Sequence, residues 1–289
     1  MGSVPQNFTY FTQTSISEFF TYVIYESFML YYKKLNYLTK EPTMDIDYFD
    51  TSRNLILQRQ ELGMGGIGTL GEKTVHSTLK QYLSHDLANQ EIKIGTYFAD
   101  VCVNGHIFEI QTRQFNKLRA KLDFFLQDHP VTVVYPVTNY NHLRWVTPDT
   151  GEITAPKKST RKGNPLQVFG ELYRIRPFLS HPNFSLKIVL MDMEEYRMLD
   201  GYGKDKKKRA TKCDKFPMKL VAEYDIETPM DYMMLLPAEL PDTFTTKEFA
   251  KLAKVPVGLA QTTLLLLSEL GIVLRTGKQG NAYIYEVKG

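Results

Sequence analysis

The sequence predicts an α/β chain, a mixed sheet flanked by helices, with a small helix-and-hairpin unit at its C-terminus. Three observations carry this. Asn104-Gly105 sits between alternating apolar residues, the strongest short-range signal for a hairpin with a two-residue type I′ turn. Segments with helical spacing bracket that hairpin: one from Leu70 to Leu83, with apolar residues at 75, 79, 82 and 83, and one from Asn116 to Leu126. The run Val131–Val137 follows, rich in β-branched residues and too short for an average helix, so it reads as a buried strand.

The turn fixes the hairpin's register. Counting outward, Val103 faces His106, Cys102 faces Ile107, Val101 faces Phe108, and Asp100 faces Glu109. Pair types alternate from the turn, so the two acids form a non-hydrogen-bonded pair, whose side chains approach most closely. Like charges directly opposed destabilise a sheet, which points to a cation between them. Alternation puts Ala99, Val101, Val103, Phe108 and Ile110 on a core face and Asp100, Cys102, Ile107, Glu109 and Gln111 on the other. Two acids and an amide in one patch suit a hard divalent cation, which needs one or two carboxylates plus water and phosphate. The plainer reading is a half-exposed face of solvated polar residues.

Upstream, glycines at 63, 65, 66, 68 and 71 make a flexible approach, and Glu72 falls near the first turn of the helix. An acid there complements the helix dipole, or supplies a third carboxylate to the same ion. In the downstream helix Leu118, Leu122, Phe125 and Leu126 point inward, with Lys117, Arg119 and Lys121 outside.

The order is helix, strand (Glu91–Ile94), strand, strand, helix, strand. Over Gly68–Val137, about a quarter of the chain, that order and its acids resemble the PD-(D/E)xK nuclease superfamily, the restriction endonuclease-like fold. The resemblance implies that Asp100 and Glu109 bind Mg²⁺ or Mn²⁺, that Glu72 joins them, and that Gln111 stands where the family usually has lysine. A neutral amide can orient the attacking water but cannot stabilise developing charge as an ammonium does. Some active restriction enzymes of the superfamily carry glutamine there. Lys93, Arg113 and Lys117 are candidates for the missing positive charge, although each also reads as surface charge. His76 and His106 read as satisfied polar residues rather than bases.

At 289 residues, 43% hydrophobic and 23% charged, the chain has the composition of an ordinary globular protein with room for about two domains. A net charge of +3 is too small to argue for a polyanion partner, so the distribution of charge must do so. Cys102 and Cys213 form no metal-ligand pattern, and a reducing cytoplasm fits best. Residues 1–60 are an aromatic-rich extension, expected to be helical or poorly ordered. The run from Phe19 to Tyr32 is too short and polar to span a bilayer, and no basic segment marks a signal peptide. A helix packed on the next domain or on a second subunit is the default. A translated upstream segment, with a start at Met44 or Met64, is the alternative.

The nuclease-like domain is expected over 61–230, carrying a strand at His142–Val146, another at Leu186–Met191, a short helix at Glu194–Leu199, and two basic loops. One holds Lys157, Lys158, Arg161 and Lys162; the other, Gly201–Lys215, holds Lys206, Lys207, Lys208 and Arg209. Such runs are usually solvated loops, but beside a carboxylate site they would neutralise DNA phosphates with counterion release. Residues 231–289 read as a helix capped by Thr245, a break at Val255-Pro256, a second helix to Leu270, and a Gly- and Lys-tipped hairpin. This resembles a winged helix, in which Gln261, Thr262 and Thr263 would read bases while Arg275 and Lys278 touch phosphate. Many winged helices bind protein instead.

The expectation is therefore a cytoplasmic, Mg²⁺-dependent endonuclease acting on DNA, with no membrane partner. RNA stays open as a substrate because a metal site sees only phosphate, and cutting both strands would suit a homodimer. The alternative is a nuclease-fold protein with impaired catalysis, serving as a DNA-binding or regulatory module.

Overall fold

The computed structural model describes residues 44–62, 74–202 and 210–288, without the side chains of 60–62. Helix α1 (Ile46–Leu62) and helix α2 (Thr74–Leu83) lead into three antiparallel strands: β1 (Gln90–Ile94), β2 (Tyr97–Val103) and β3 (His106–Ile110). A 3-10 turn (Phe115–Leu118) and helix α3 (Arg119–Phe125) then cross to β4 (Val131–Val146), which pairs parallel to β3 through Glu109↔Val133 and Ile110↔Val134. The two-residue β5 (Lys157–Lys158) pairs with β4, and short helix α4 (Phe169–Leu172) leads to β6 (Phe184–Met198) and β7 (Thr211–Ile226). The sheet order is β1-β2-β3-β4-β6-β7, with β4 and β6 parallel and β7 antiparallel.

The hairpin register is as expected for three pairs, Val103↔His106, Cys102↔Ile107 and Val101↔Phe108. Asn104 (φ 51°) and Gly105 (φ 82°) both adopt positive φ, as a type I′ turn requires. The fourth expected pair, Asp100 with Glu109, is not part of this ladder. Asp100 reaches β3 through its carboxylate instead, where Oδ2 accepts the Ile110 N–H at 2.7 Å. Ala99 and Cys102, an odd number of residues apart, join the same core, so alternation slips once around Asp100.

Both faces of the sheet are buried, and this corrects the expectation of a single core face. On one side Phe49, Val75 and Leu79 from α1 and α2 cover Ile110, Val134, Val189 and Met191. On the other, Leu122 and Phe125 of α3 with Phe169 of α4 cover Ile107, Val133 and Ile188. The acid-bearing face is thus core, because a parallel β4 demands cover on both sides.

The helix expected at Glu194–Leu199 is instead the end of β6. Its charged residues are satisfied in strand geometry: Arg144 of β4 pairs with Glu194 at 2.9 Å, Tyr196 Oη donates to Glu194 at 2.6 Å, and Arg197 Nε donates to Glu195 at 2.6 Å. Likewise His142–Val146 is no separate strand but continues β4 past Pro136 and an irregularity between Thr138 and Asn141. The basic loop expected to reach Lys215 gives way at Thr211 to β7.

At the C-terminus, β8 (Thr243–Thr245), α5 (Thr246–Leu252), α6 (Val257–Glu269), β9 (Val273–Gln279) and β10 (Ala282–Val287) follow the expected order. Thr245 and Glu248 form a reciprocal capping box, and Gly271 ends α6 at φ 74°. The strands form a second sheet, β8-β10-β9. Its core is continuous with that of the large sheet, since Leu264, Leu267 and Phe249 share one buried cluster with Leu172 and Ile188. No break in packing marks residue 230. Among the described residues no single helix is long and apolar enough to cross a membrane.

Candidate active site

Two polar groups of residues lie beside α2, one on β2 and β3 and the other reaching across β4, β6 and β7. The first is the acid pair. Glu109 is 2% exposed, on the face covered by α3, and Lys121 of that helix donates to both its carboxylate oxygens at 2.8 and 3.0 Å and to Phe98 O at 2.6 Å. Burial first, and the nearby Asp100 charge second, push the Glu109 pKa from 4.5 up to about 7, against the pull of Lys121. His76 of α2 places Nε2 3.2 Å from Asp100 Oδ2, the same oxygen that accepts Ile110 N–H. Asp100 and Glu109 are therefore close enough to repel although they are not partners in the β2–β3 ladder, and an ammonium and an imidazole flank them.

Lys121 was expected on the outer face. The helical spacing held the signal for its actual place: position 121 follows Leu118 by three and precedes Phe125 by four, so it flanks the buried stripe. The cation reaching the acids is this lysine and not Lys93, Arg113 or Lys117. Gln111 is turned away from the acids, its Nε2 donating to Arg113 O at 2.6 Å, and this corrects its expected role of orienting water at the pair. Glu72 lies outside the described residues, as do Lys206, Lys207, Lys208 and Arg209. Among the described residues there is no group of three or more His, Cys, Asp and Glu that could hold a metal. The donors that fit a divalent cation are Asp100 and Glu109, and with Lys121 on both Glu109 oxygens an ion would have to share or displace that ammonium. His106 is the satisfied polar residue expected, bonded to Thr132 Oγ1 at 2.7 Å and stacked on Phe108.

The second group lines a cleft of about 910 Å³ bounded by α2, the loop after β3, the middle of β4, the later part of β6 and the start of β7. Gln111 and Arg113 stand on one wall and Lys212 and Lys215 on the opposite one. Glu195, buried between them, accepts from Arg197 Nε at 2.6 Å and Asn141 Nδ2 at 3.0 Å, with Lys215 at 3.4 Å and Lys212 at 3.7 Å. Burial alone would raise its pKa, but these cations and the amide together hold it below the ordinary carboxylate value. Asp214 accepts the Thr74 hydroxyl and N–H. Nothing in the sequence marks this cleft, because Glu195 comes from a strand read as a helix and Lys212 and Lys215 from one read as a loop.

The remaining basic residues lie on the surface. Lys157, Lys158, Arg161 and Lys162 are exposed, with Lys158 3.8 Å above the Tyr140 ring. On α6 Gln261 is exposed and Thr262 half-buried, donating to Gly258 O at 3.2 Å; Thr263 is fully buried and so is unavailable to read bases. On the C-terminal hairpin Arg275 and Lys278 sit 3.7 and 4.8 Å over the Tyr283 ring.

Residues 73–227, the large sheet and its helices, match the family described as Domain of unknown function (DUF8091). The chain is also 28% identical over 221 residues to an "Uncharacterized protein" of Treponema pallidum (strain Nichols), covering 76% of this chain and 86% of that one. No solved structure matches.

Proposed function

The chain belongs to the DUF8091 family, and from the site within the matched span we propose that it hydrolyses phosphodiester bonds in DNA with the help of Mg²⁺ or Mn²⁺. The reading rests on one observation: Asp100 and Glu109 from adjacent strands repel one another beside Lys121, whose ammonium lies 2.8 Å from Glu109. This acid–acid–lysine set is what the D…ExK chemistry of the PD-(D/E)xK superfamily uses, with the cation supplied by α3 instead of position 111. The chain order supports it, because α2, the antiparallel β1-β2-β3, α3 and the parallel β4 follow the restriction endonuclease-like order.

Asp100 and Glu109 would hold the metal ion, which supplies an acidified water and charge neutralisation at the phosphate. Lys121 would stabilise negative charge as it builds on the phosphate oxygens. His76, bonded to Asp100, keeps that carboxylate aimed. The exposed Lys157, Lys158, Arg161 and Lys162, with the winged-helix-like unit presenting Gln261, Thr262, Arg275 and Lys278, would hold the DNA backbone.

A second reading is favoured by the same lysine. Lys121 already neutralises Glu109, as it would in a scaffold that only binds nucleic acid. A cleavage panel over duplex, single-stranded and branched DNA with Mg²⁺ and Mn²⁺ separates the two. Cutting that disappears in Asp100→Ala and in EDTA supports hydrolysis. Cutting retained in Asp100→Ala removes this site, and DNA binding without cutting on any substrate leaves the binding module.

A further inference from the structure

We propose that the cleft between α2, β4, β6 and β7 binds a nucleotide unit, its phosphate held between Arg113 and the facing Lys212–Lys215 wall and its base on an apolar floor. The cleft volume of about 910 Å³ lies within the range of small-ligand pockets. Its charge is unbalanced. Arg197, Lys212 and Lys215 converge on the single Glu195 carboxylate, and Arg113 has no acid partner among the described residues. Asp214 faces Thr74, and Glu91 is paired with Lys80 at 2.7 Å. Arg113, Lys212 and Lys215 line the cleft against Glu91, Glu195 and Asp214, but Glu91 is neutralised by Lys80 and Glu195 by Arg197 from behind, so the three lining cations face only Asp214 unneutralised, which favours an anion. The floor is different in kind: Val75, Ile110, Pro136 and Met193 offer an apolar surface, with Thr138 and Gln111 at its margin to meet hydrogen-bonding edges. An inorganic anion would use the cations and ignore that floor. A phosphate joined to a heterocyclic base uses both.

This inference does not need the acid pair. The neutral Gln111 amide and the Arg113 guanidinium, left out of the metal site, find a role in the cleft, and neither Asp100 nor Glu109 lines it. The chemistry is shared by a free nucleotide and by one residue of a single strand, and affinity separates those two sources.

The test is calorimetric titration in EDTA with thymidine 5′-monophosphate, a thymidine tetranucleotide and tripolyphosphate. Nucleotide is expected to bind, and tripolyphosphate to bind at least tenfold more weakly than thymidine 5′-monophosphate. Arg113→Ala should weaken nucleotide binding fivefold or more, and Lys212→Ala/Lys215→Ala tenfold or more. A tetranucleotide at least tenfold tighter than the mononucleotide assigns the cleft to a strand; equal affinities assign it to a free nucleotide. Among the described residues the Arg113 side chain makes no hydrogen bond or ion pair, so its variant reads out binding even where the double variant fails to fold. Unaltered affinity in Arg113→Ala, tripolyphosphate binding as tightly as nucleotide, or no binding at millimolar concentration overturns the proposal. Binding retained in a protein that never cuts removes only the hydrolase reading, whereas Asp100-dependent cutting without nucleotide binding removes only this one.

Discussion

Replacing Glu109 with Gln should make the protein more stable above neutral pH while abolishing its proposed chemistry. Glu109 is a buried carboxyl whose folded pKa, about 7, lies above its ordinary 4.5. An acid that binds its proton more tightly in the folded state contributes stability at low pH. That contribution is complete below 4.5 and is lost as pH rises through about 7. The gap between the two values is on the order of 3 kcal/mol, with no discount for solvent because the group is 2% exposed. Glutamine has the shape of the protonated acid and never ionises. Lys121, left without its carboxylate, still has Phe98 O and is itself partly exposed. In urea denaturation at pH 5 the variant and the parent should therefore agree closely. At pH 8.5 the variant should be more stable by about 2–3 kcal/mol, the difference opening between pH 5 and 7.5. An equal pH slope in both proteins, or a variant less stable at pH 8.5, would show instead that Lys121 more than offsets the burial of the charge.

Three further outcomes follow from packing and local geometry. Leu264→Ala on α6 should cost about 2–5 kcal/mol by leaving a cavity in a fully buried site. Because that core runs on into the large sheet, calorimetry should show one transition shifted as a whole, and a separate low-temperature transition for residues 231–289 would contradict the shared core. Gly163→Ala should destabilise by about 1–3 kcal/mol, since its Cβ would fall 1.9 Å from Thr138 O, and a variant with an unchanged Tm would sink this. Thr245→Ala removes a reciprocal cap of α5 and should cost about 1 kcal/mol in urea denaturation.

Much of this structure was legible wherever a local rule had no competitor. The Asn104-Gly105 turn dictated three pairs of the β2–β3 ladder, and Thr245, Pro256 and Gly271 marked the ends of the C-terminal helices. Sequence reading failed where tertiary context decided. Glu194-Glu195-Tyr196-Arg197 has helical composition, yet Arg144 and Asn141 of β4 reach its acids and hold it as strand. Single-face alternation around Asp100 and Glu109 presumed solvent on one side, and helices α2 and α3 occupy both sides. The turn placed the two acids on neighbouring strands, but the direct Asp100–Glu109 pairing counted from it does not form, because Asp100 turns its carboxylate onto Ile110 N–H. The cation beside them was not visible, because Lys121 comes from another element at the margin of an apolar stripe. The cleft was invisible for the same reason, since α2, the loop after β3, β4, β6 and β7 all contribute to it.

The central claim is that Asp100 and Glu109 form a metal site next to Lys121, and Mn²⁺ titration by calorimetry at pH 6.5 tests it most directly. At that pH Glu109 is largely protonated, so an ion taken up by the pair must release a proton, seen as a heat that varies with the buffer. Binding with proton release is expected in the parent, and neither in Glu109→Gln or Asp100→Asn. Absence of Mn²⁺ binding in the parent, or binding unchanged in both variants, would contradict it.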